Sequence, residues 1–249
     1  MKYCGTTDRG KLRKSNQDNY VIATNRNGDV FAIVCDGIGG GRGGDIASRM
    51  TVNYFSELFA EHAGFESASD AKYWLRINIS EINRRIFQRS KDQEELRGMG
   101  TTMCGVLKAS VGTFVVNIGD SRAYSWQKDT GLKQLTIDHT LVQDMIMHGE
   151  ITRKEAENYP RKNVLTNALG VWESVRSDID THPEPVQGYL ICSDGLHGYV
   201  DEKSIAKIVM TKGRDPALKV RRLIKAALDA GGFDNITVIL IDLEGENAV

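Results

Sequence analysis

The sequence predicts an α+β fold: a two-sheet antiparallel β-sandwich flanked by helices on both sides, with a small helical lobe standing off it. Three observations carry this. Strand-like and helix-like segments come in blocks, whereas strict βαβ alternation would give a parallel, doubly wound sheet. Two turn signals, Arg26-Asn27-Gly28 and Asp129-Thr130-Gly131, join neighbouring strand runs as hairpins. The helical segments carry an apolar stripe on one side, as the covers of a sheet must.

In chain order, residues 19–25 and 29–35 form the first hairpin. Ile46, Met50, Tyr54 and Leu58 recur every four residues and predict a helix. A second helix carries Leu75, Ile79, Ile82 and Ile86, with Arg84, Arg85 and Lys91 around it. Strands follow at 105–108 and 112–118, then a hairpin of 123–126 with 132–135. Residues 138–170 break the pattern into short helical pieces, 141–148 and 153–158, ahead of Pro160. A strand at 188–192 leads to helices starting near Asp201 and Asp215. The second of these has a capping Asp, Pro216 at its first position, apolar Val220, Leu223, Ile224, Ala227 and Leu228, and Gly231-Gly232 beyond its end. A strand over 236–243 follows.

Acids stand at the ends of these strands. Asp36-Gly37 follows VFAIVC, Asp120 follows FVVNIG, Asp194-Gly195 follows YLICS, and Asp234-Asn235 precedes ITVILIDL. A packed sheet gathers strand ends in one place, and four gathered carboxylates call for cations. A metal-dependent hydrolase is therefore the first functional expectation. Singly, each acid would be read as a turn former or a helix cap.

Bulk properties exclude other classes. At 249 residues one domain is the default, and a net charge of -1 from 32 basic and 33 acidic residues gives no case for nucleic acid or an anionic membrane. No secretory leader pattern and no apolar run of about 18 residues occurs, so a cytoplasmic protein is expected. Cys4, Cys35, Cys104 and Cys192 form no C-x-x-C pair and read as reduced thiols, three of them packed in strands.

The glycine cluster Gly39-Gly40-Gly41-Arg42-Gly43-Gly44 contains G-x-G-x-x-G between a strand and a helix. A dinucleotide fingerprint is a poor reading, because Asp36 would face the pyrophosphate and the next strand comes only after two helices. No Gly-Lys-Ser/Thr follows, which rules out a Walker loop. Glycine here lets the chain turn sharply and leaves a bare carbonyl beside a cation held by Asp36.

Seven segments in order carry a family resemblance: Arg13-Lys14-Ser15-Asn16-Gln17-Asp18, Asp36-Gly37-Ile38-Gly39-Gly40, Gly100-Thr101-Thr102, Gly119-Asp120-Ser121-Arg122, Asp138-His139, Ser193-Asp194-Gly195 and Asp234-Asn235. They resemble the metal-dependent protein phosphatases of the 2C class in their compact bacterial form, over nearly the whole chain. The resemblance implies one catalytic domain over 1–249, with a flap at about 139–170, that hydrolyses phosphoserine and phosphothreonine with two Mn2+ or Mg2+ ions. On it, Asp36 bridges the ions, the Gly37 carbonyl ligates one, and Asp194 and Asp234 ligate the other. Asp120 helps hold a third ion, Asp18 acts beside the metals, and Arg13 grips the phosphate. The implied partners are phosphorylated proteins and a cognate Ser/Thr kinase, with no nucleic acid and no membrane, and the chain is expected to be a monomer.

The ligand chemistry agrees with the resemblance. Carboxylate, carbonyl and water oxygens suit hard cations, and no His or Cys cluster favours zinc. Departures are specific. Ile38 stands where eukaryotic members have a His, so no general acid is named. Gly41 stands where bacterial members often have a His, and the adjacent Arg42 is expected to take over part of the phosphate contact. His139 reads as a hinge or hydrogen-bonding residue, and His62, His148, His182 and His197 as surface or local structure. The rival readings are a non-catalytic phosphoprotein-binding module, which would be expected to have lost some of the acids, and a two-metal nuclease, which would want a basic surface.

Overall fold

A computed structural model of the chain describes residues 1–39, 41–157, 159–183, 185–213 and 215–243. Two five-stranded antiparallel sheets pack face to face. One has the order β1 (Lys2–Asp8), β12 (Ile236–Asp242), β11 (Gly188–Cys192), β8 (Arg122–Gln127), β9 (Gly131–Gln134). The other runs β10 (Asp178–Thr181), β7 (Gly112–Ile118), β6 (Met103–Ala109), β3 (Val30–Cys35), β2 (Asn19–Thr24). A two-residue pair, β4 (Gly37–Ile38) with β5 (Gly100–Thr101), crosses the end of the sandwich.

The apolar residues form three buried clusters. Between the sheets lie Val34, Val106, Tyr189, Ile191, Ile239 and Ile241 among others. The second sheet is covered by α1 (Gly43–Ala60) and α2 (Ala68–Asp92), which bury Phe55, Phe59, Leu75, Ile79, Ile82 and Ile86 against Phe31. Phe31 and Phe55 meet edge-on with centroids 5.6 Å apart, the arrangement that aromatic quadrupoles favour. The first sheet is covered by α6 (Glu202–Val209) and α7 (Pro216–Asp229) through Ile205, Val209, Val220 and Leu223. A fully buried side chain of this size contributes roughly 1.5–3 kcal/mol. Among the described residues, no helix is long and apolar enough to cross a membrane.

The sandwich and both hairpins match the expectation, and Asp201 and Asp215 cap α6 and α7 with their side chains. The buried face of α1 requires a correction. Ala47, Ser48, Thr51, Val52, Phe55 and Phe59 are buried, while Ile46, Met50 and Tyr54 pack only partly and Leu58 is exposed. A spacing of four overshoots the 3.6-residue turn, so an every-fourth stripe drifts off the contact line. The contact line carries small residues that bring the helix close to its sheet. The short pair β4 and β5 was not expected, and two strands of the large sheets were missed. Edge strand β1 (KYCGTTD) and short β10 (DIDT) are rich in polar residues, and β1 is defined by its seven-residue register with β12.

The lobe holds α3 (Leu141–Met147) and α4 (Arg153–Glu157). The end of its second expected helix, Asn158, lies outside the described residues.

Candidate active site

Topology brings the acids together. Strands β3 and β7 are both antiparallel to β6, so their C-termini share one edge; β11 and β12 are antiparallel, so the end of β11 meets the start of β12. Asp36, Asp120, Asp194 and Asp234 sit at these four ends and line one cleft of about 280 Å³ with Arg13, Gly37, Thr102 and Asn235. Asp18, only 3% exposed, lies beneath it.

Backbone and hydroxyl contacts fix each acid. The Asp36 carbonyl accepts from the Thr102 N–H and the Thr101 hydroxyl, both at 2.8 Å, and the Asp36 N–H donates to Thr102 Oγ1 at 2.9 Å. Asp18 Oδ2 accepts from the hydroxyls of Ser193 and Thr237, each at 2.7 Å. Asn235 pins the segment carrying Arg13. Its amide donates to the carbonyls of Arg9 and Ser15 at 2.8 and 3.0 Å, and its oxygen accepts from the Gln17 N–H at 2.8 Å. Gly37 is required by close approach: a Cβ there would stand 2.3 Å from the Gly44 carbonyl oxygen and 2.6 Å from that of Gln17.

The electrostatics are those of crowded carboxylates. Burial, and then the neighbouring acids, hold Asp36 protonated far above the ordinary carboxylate range. Burial also lifts Asp18 to about 7, against the pull of its two hydroxyl donors, and lifts Asp194 to about 6 with Asp234 next in weight. Asp120 is pushed up to about 8 by burial and by Asp194. Arg13 donates to Asp234 Oδ2 at 2.6 Å, and that contact raises its own basicity. His197, kept neutral by burial with its pKa lowered to about 3, bonds through Nε2 to the Asp120 carbonyl at 3.0 Å.

The donor set fits hard divalent cations. Asp18 Oδ1 and Asp194 Oδ1 are buried with no hydrogen-bond partner, a costly state that a cation relieves. Every candidate ligand is oxygen, as Mn2+ and Mg2+ prefer. Among the described residues, no group of three His, Cys, Asp or Glu side chains stands in a metal-holding arrangement.

Of the residues expected from sequence, Asp18, Asp36, Gly37, Asp120, Asp194, Asp234 and Arg13 are brought together. Arg42 is not: it is exposed at the N-cap of α1, outside the cleft lining. Its expected phosphate contact has no support in this geometry. Ser193, Thr237, Asn235 and His197 were not recognised as parts of the site. Ser193 and Asn235 stand in segments that carried the resemblance but were given no role, and Thr237 read as an ordinary strand residue; Asp18, the partner of Ser193 and Thr237, is 175 and 219 positions away.

The profile of the family described as protein phosphatase 2C matches residues 8–219. Serine/threonine phosphatase Stp of Listeria monocytogenes is 40% identical over 239 residues, covering 95% of this chain and 93% of the relative. Protein phosphatase PhpP of Streptococcus pneumoniae is 34% identical over 243 residues, 97% of each. Among solved structures, serine/threonine phosphatase Stp1 from Staphylococcus aureus superposes with a TM-score of 0.91 at 31% identity, covering 98% of this chain and 95% of that one. The catalytic domain of PstP in complex with two manganese ions gives 0.81 at 30% identity, covering 97% of each chain.

Proposed function

The chain belongs to the protein phosphatase 2C family, and from that premise we propose that its Mn- or Mg-dependent hydrolysis of protein phosphoserine and phosphothreonine takes place in the cleft between Asp36 and Asp234. The observation carrying this reading is the convergence of Asp36, Asp120, Asp194 and Asp234 with Arg13 on that cleft. Asp36, the Gly37 carbonyl, Asp194 and Asp234 would hold the principal pair of ions, and Asp120 with Asp194 an auxiliary one. When bound, the ions supply Lewis acidity and a water acidic enough to attack phosphorus near neutral pH.

The protein's own groups do the rest. Arg13, exposed at the rim, presents a bidentate fork to two phosphate oxygens and so aligns phosphorus with the incoming water. Asp18, with one oxygen tied to Ser193 and Thr237 and the other without a partner, takes a proton from water in the cleft. The Asp36 backbone is held by Thr101 and Thr102, which fixes the point from which its carboxylate reaches into the cleft.

The chain acts as a single catalytic domain over 1–249 with the lobe at about 139–170 as its flap, in the cytoplasm, as a monomer, opposing a cognate Ser/Thr kinase. The support for a single domain is a core shared by both sheets and the likeness to Stp and PhpP along almost the whole chain. Phosphothreonine-peptide hydrolysis with Mn, with Mg and with chelator, for wild type and Asp36→Asn, tests the mechanism. Activity is expected only with metal and only in the wild type; activity surviving chelation or the substitution overturns it.

A further inference from the structure

Two histidines with no part in the reaction meet the turn that carries Asp120, one from each side. His139, 1% exposed, donates its backbone N–H to the Gly119 carbonyl at 2.9 Å. Its ring Nδ1 accepts from the Gly119 N–H at 3.2 Å and from the Asn167 amide at 2.8 Å. Both partners are donors, so Nδ1 is bare and Nε2 carries the proton, which it donates to Asp178 Oδ2 at 2.9 Å. On the other side, His197 Nε2 lies 3.0 Å from the Asp120 carbonyl oxygen. A carbonyl only accepts, so this Nε2 also carries its proton.

The second contact links two acids of the site. His197 is the last residue of α5 (Asp194–His197), and Asp194 is the first. One imidazole therefore runs from the helix bearing Asp194 to the backbone of Asp120. The turn has little freedom of its own. Gly119 has φ +100°, and a Cβ there would stand 2.6 Å from Thr102 Cγ2. Thr102 Oγ1 in turn bonds Ser121 Oγ at 2.8 Å and accepts from the Asp36 N–H.

We propose that His139 and His197 are positioning residues that hold the Asp120 carboxylate at a set distance from Asp194, and thereby fix the affinity of the divalent cation these two acids share. The proposal rests on the reading of Asp120 and Asp194 as ligands given above. Partners that orient metal ligands from behind change metal affinity by roughly 10–100-fold when removed. Loss of the His197 contact is therefore expected to weaken the auxiliary cation about tenfold while the pair held by Asp36 and Asp234 changes little.

Calorimetric titration with MnCl2 tests this on wild type, Asp120→Asn, His197→Leu, His197→Gln, and His197→Leu combined with Asp120→Asn. The expected result is a weak Mn event lost in Asp120→Asn and weakened about tenfold in His197→Leu. His197→Gln, which keeps an N–H at the Nε2 position, should return it to within about threefold of wild type. His197→Leu should add nothing on the Asp120→Asn background. An unchanged weak event in His197→Leu, equal weakening of every Mn event, or additive losses in the double variant would each overturn the proposal. If His197→Leu does not fold in chelator, Asp178→Ala reads the same turn through His139: weakening of the weak event alone supports the proposal, and no change overturns it. Peptide hydrolysis by the wild type is scored separately. A wild type that hydrolyses phosphothreonine peptide yet shows no Asp120-dependent Mn event removes this proposal and leaves the phosphatase reading intact.

Discussion

Arg13 donates to Asp234 Oδ2 at 2.6 Å, so the residue expected to grip substrate phosphate rests on an acid expected to ligate metal. Phosphate and Asp234 compete for one guanidinium, and the Arg13 side chain, 55% exposed, is free to swing between them. A charge-assisted contact contributes about 1.5–3 kcal/mol. Arg13→Ala is therefore expected to lower kcat/KM for a phosphothreonine peptide about 10–100-fold, mostly through KM. Arg13→Lys, which keeps the charge and loses the fork, should fall between the two. Steady-state kinetics giving Arg13→Ala values within twofold of wild type would remove Arg13 from phosphate binding.

Crowding of the acids sets a pH dependence that metal reverses. Asp194, Asp18 and Asp120 have folded-state values of about 6, 7 and 8 against an ordinary 3.8. Between these limits the folded chain binds more protons than the unfolded one. The stability contributed by these groups is thus complete below about pH 4 and is lost as the pH rises through 6 to 8. In chelator, the thermal midpoint should fall by several degrees from pH 5.5 to 8. With saturating Mn2+ the stabilisation over chelator should grow across the same interval, because deprotonated acids bind the ion. A midpoint in chelator that rises over this range would contradict the assignment.

Much of this site was legible in the sequence for a physical reason. Buried strands such as VFAIVC and YLICS announce themselves by apolar content, and an acid directly after one has few places to go but the sheet edge. The edge that the four acids share follows from strand direction alone. Other parts carried no local signal. Strand β1 exists through its register with β12, more than 220 residues away, and Thr237 sits in an apolar run where nothing marks its hydroxyl as a donor to Asp18. The contact face of α1 was misjudged because large apolar residues attract notice, while the close approach of helix and sheet selects Ala47, Ser48 and Thr51.

Asp36 is the position where activity and stability should part. Its carboxyl is held protonated far above the usual range by burial and by Asp18, Asp194 and Asp120. Asp36→Asn removes an ionisable group that the fold disfavours and keeps its shape. In chelator at pH 8 the variant is expected to melt higher than wild type, while losing at least about a thousandfold in turnover and most of the stabilisation by Mn2+. Differential scanning calorimetry with and without metal checks both halves. A variant less stable than wild type in chelator would mean that Asp36 supports the fold through contacts other than those of a crowded acid.

Gly37 should tolerate no side chain. A Cβ at this position stands 2.3 Å from the Gly44 carbonyl oxygen; Gly44 is backbone held in α1 and Gly37 is held in the β4–β5 pair. Neither moves without unseating Asp36. Gly37→Ala is expected to cost about 3 kcal/mol in urea unfolding under chelating conditions, the upper end of overpacking costs. A loss below about 0.5 kcal/mol would show that the turn relaxes freely.

The lobe offers a separable test of substrate choice. Helix α3 presents Leu141, Val142, Met145, Ile146 and Met147, none of them buried. The lobe is closed at its base by the bridge between Thr140 and Leu165 and by the Thr166 N–H on the His139 carbonyl at 2.9 Å. Residues 142–162 can therefore be exchanged for the corresponding segment of a relative while the base and the cleft residues Asn163 and Leu165 stay in place. A small aryl phosphate reaches only the cleft, whereas a phosphoprotein is expected to lie also against the apolar side of α3. Exchange is expected to change relative kcat/KM among phosphoproteins by tenfold or more and turnover of the aryl phosphate by less than about twofold. Equal effects on both substrates would place the lobe in the chemistry and not in selection.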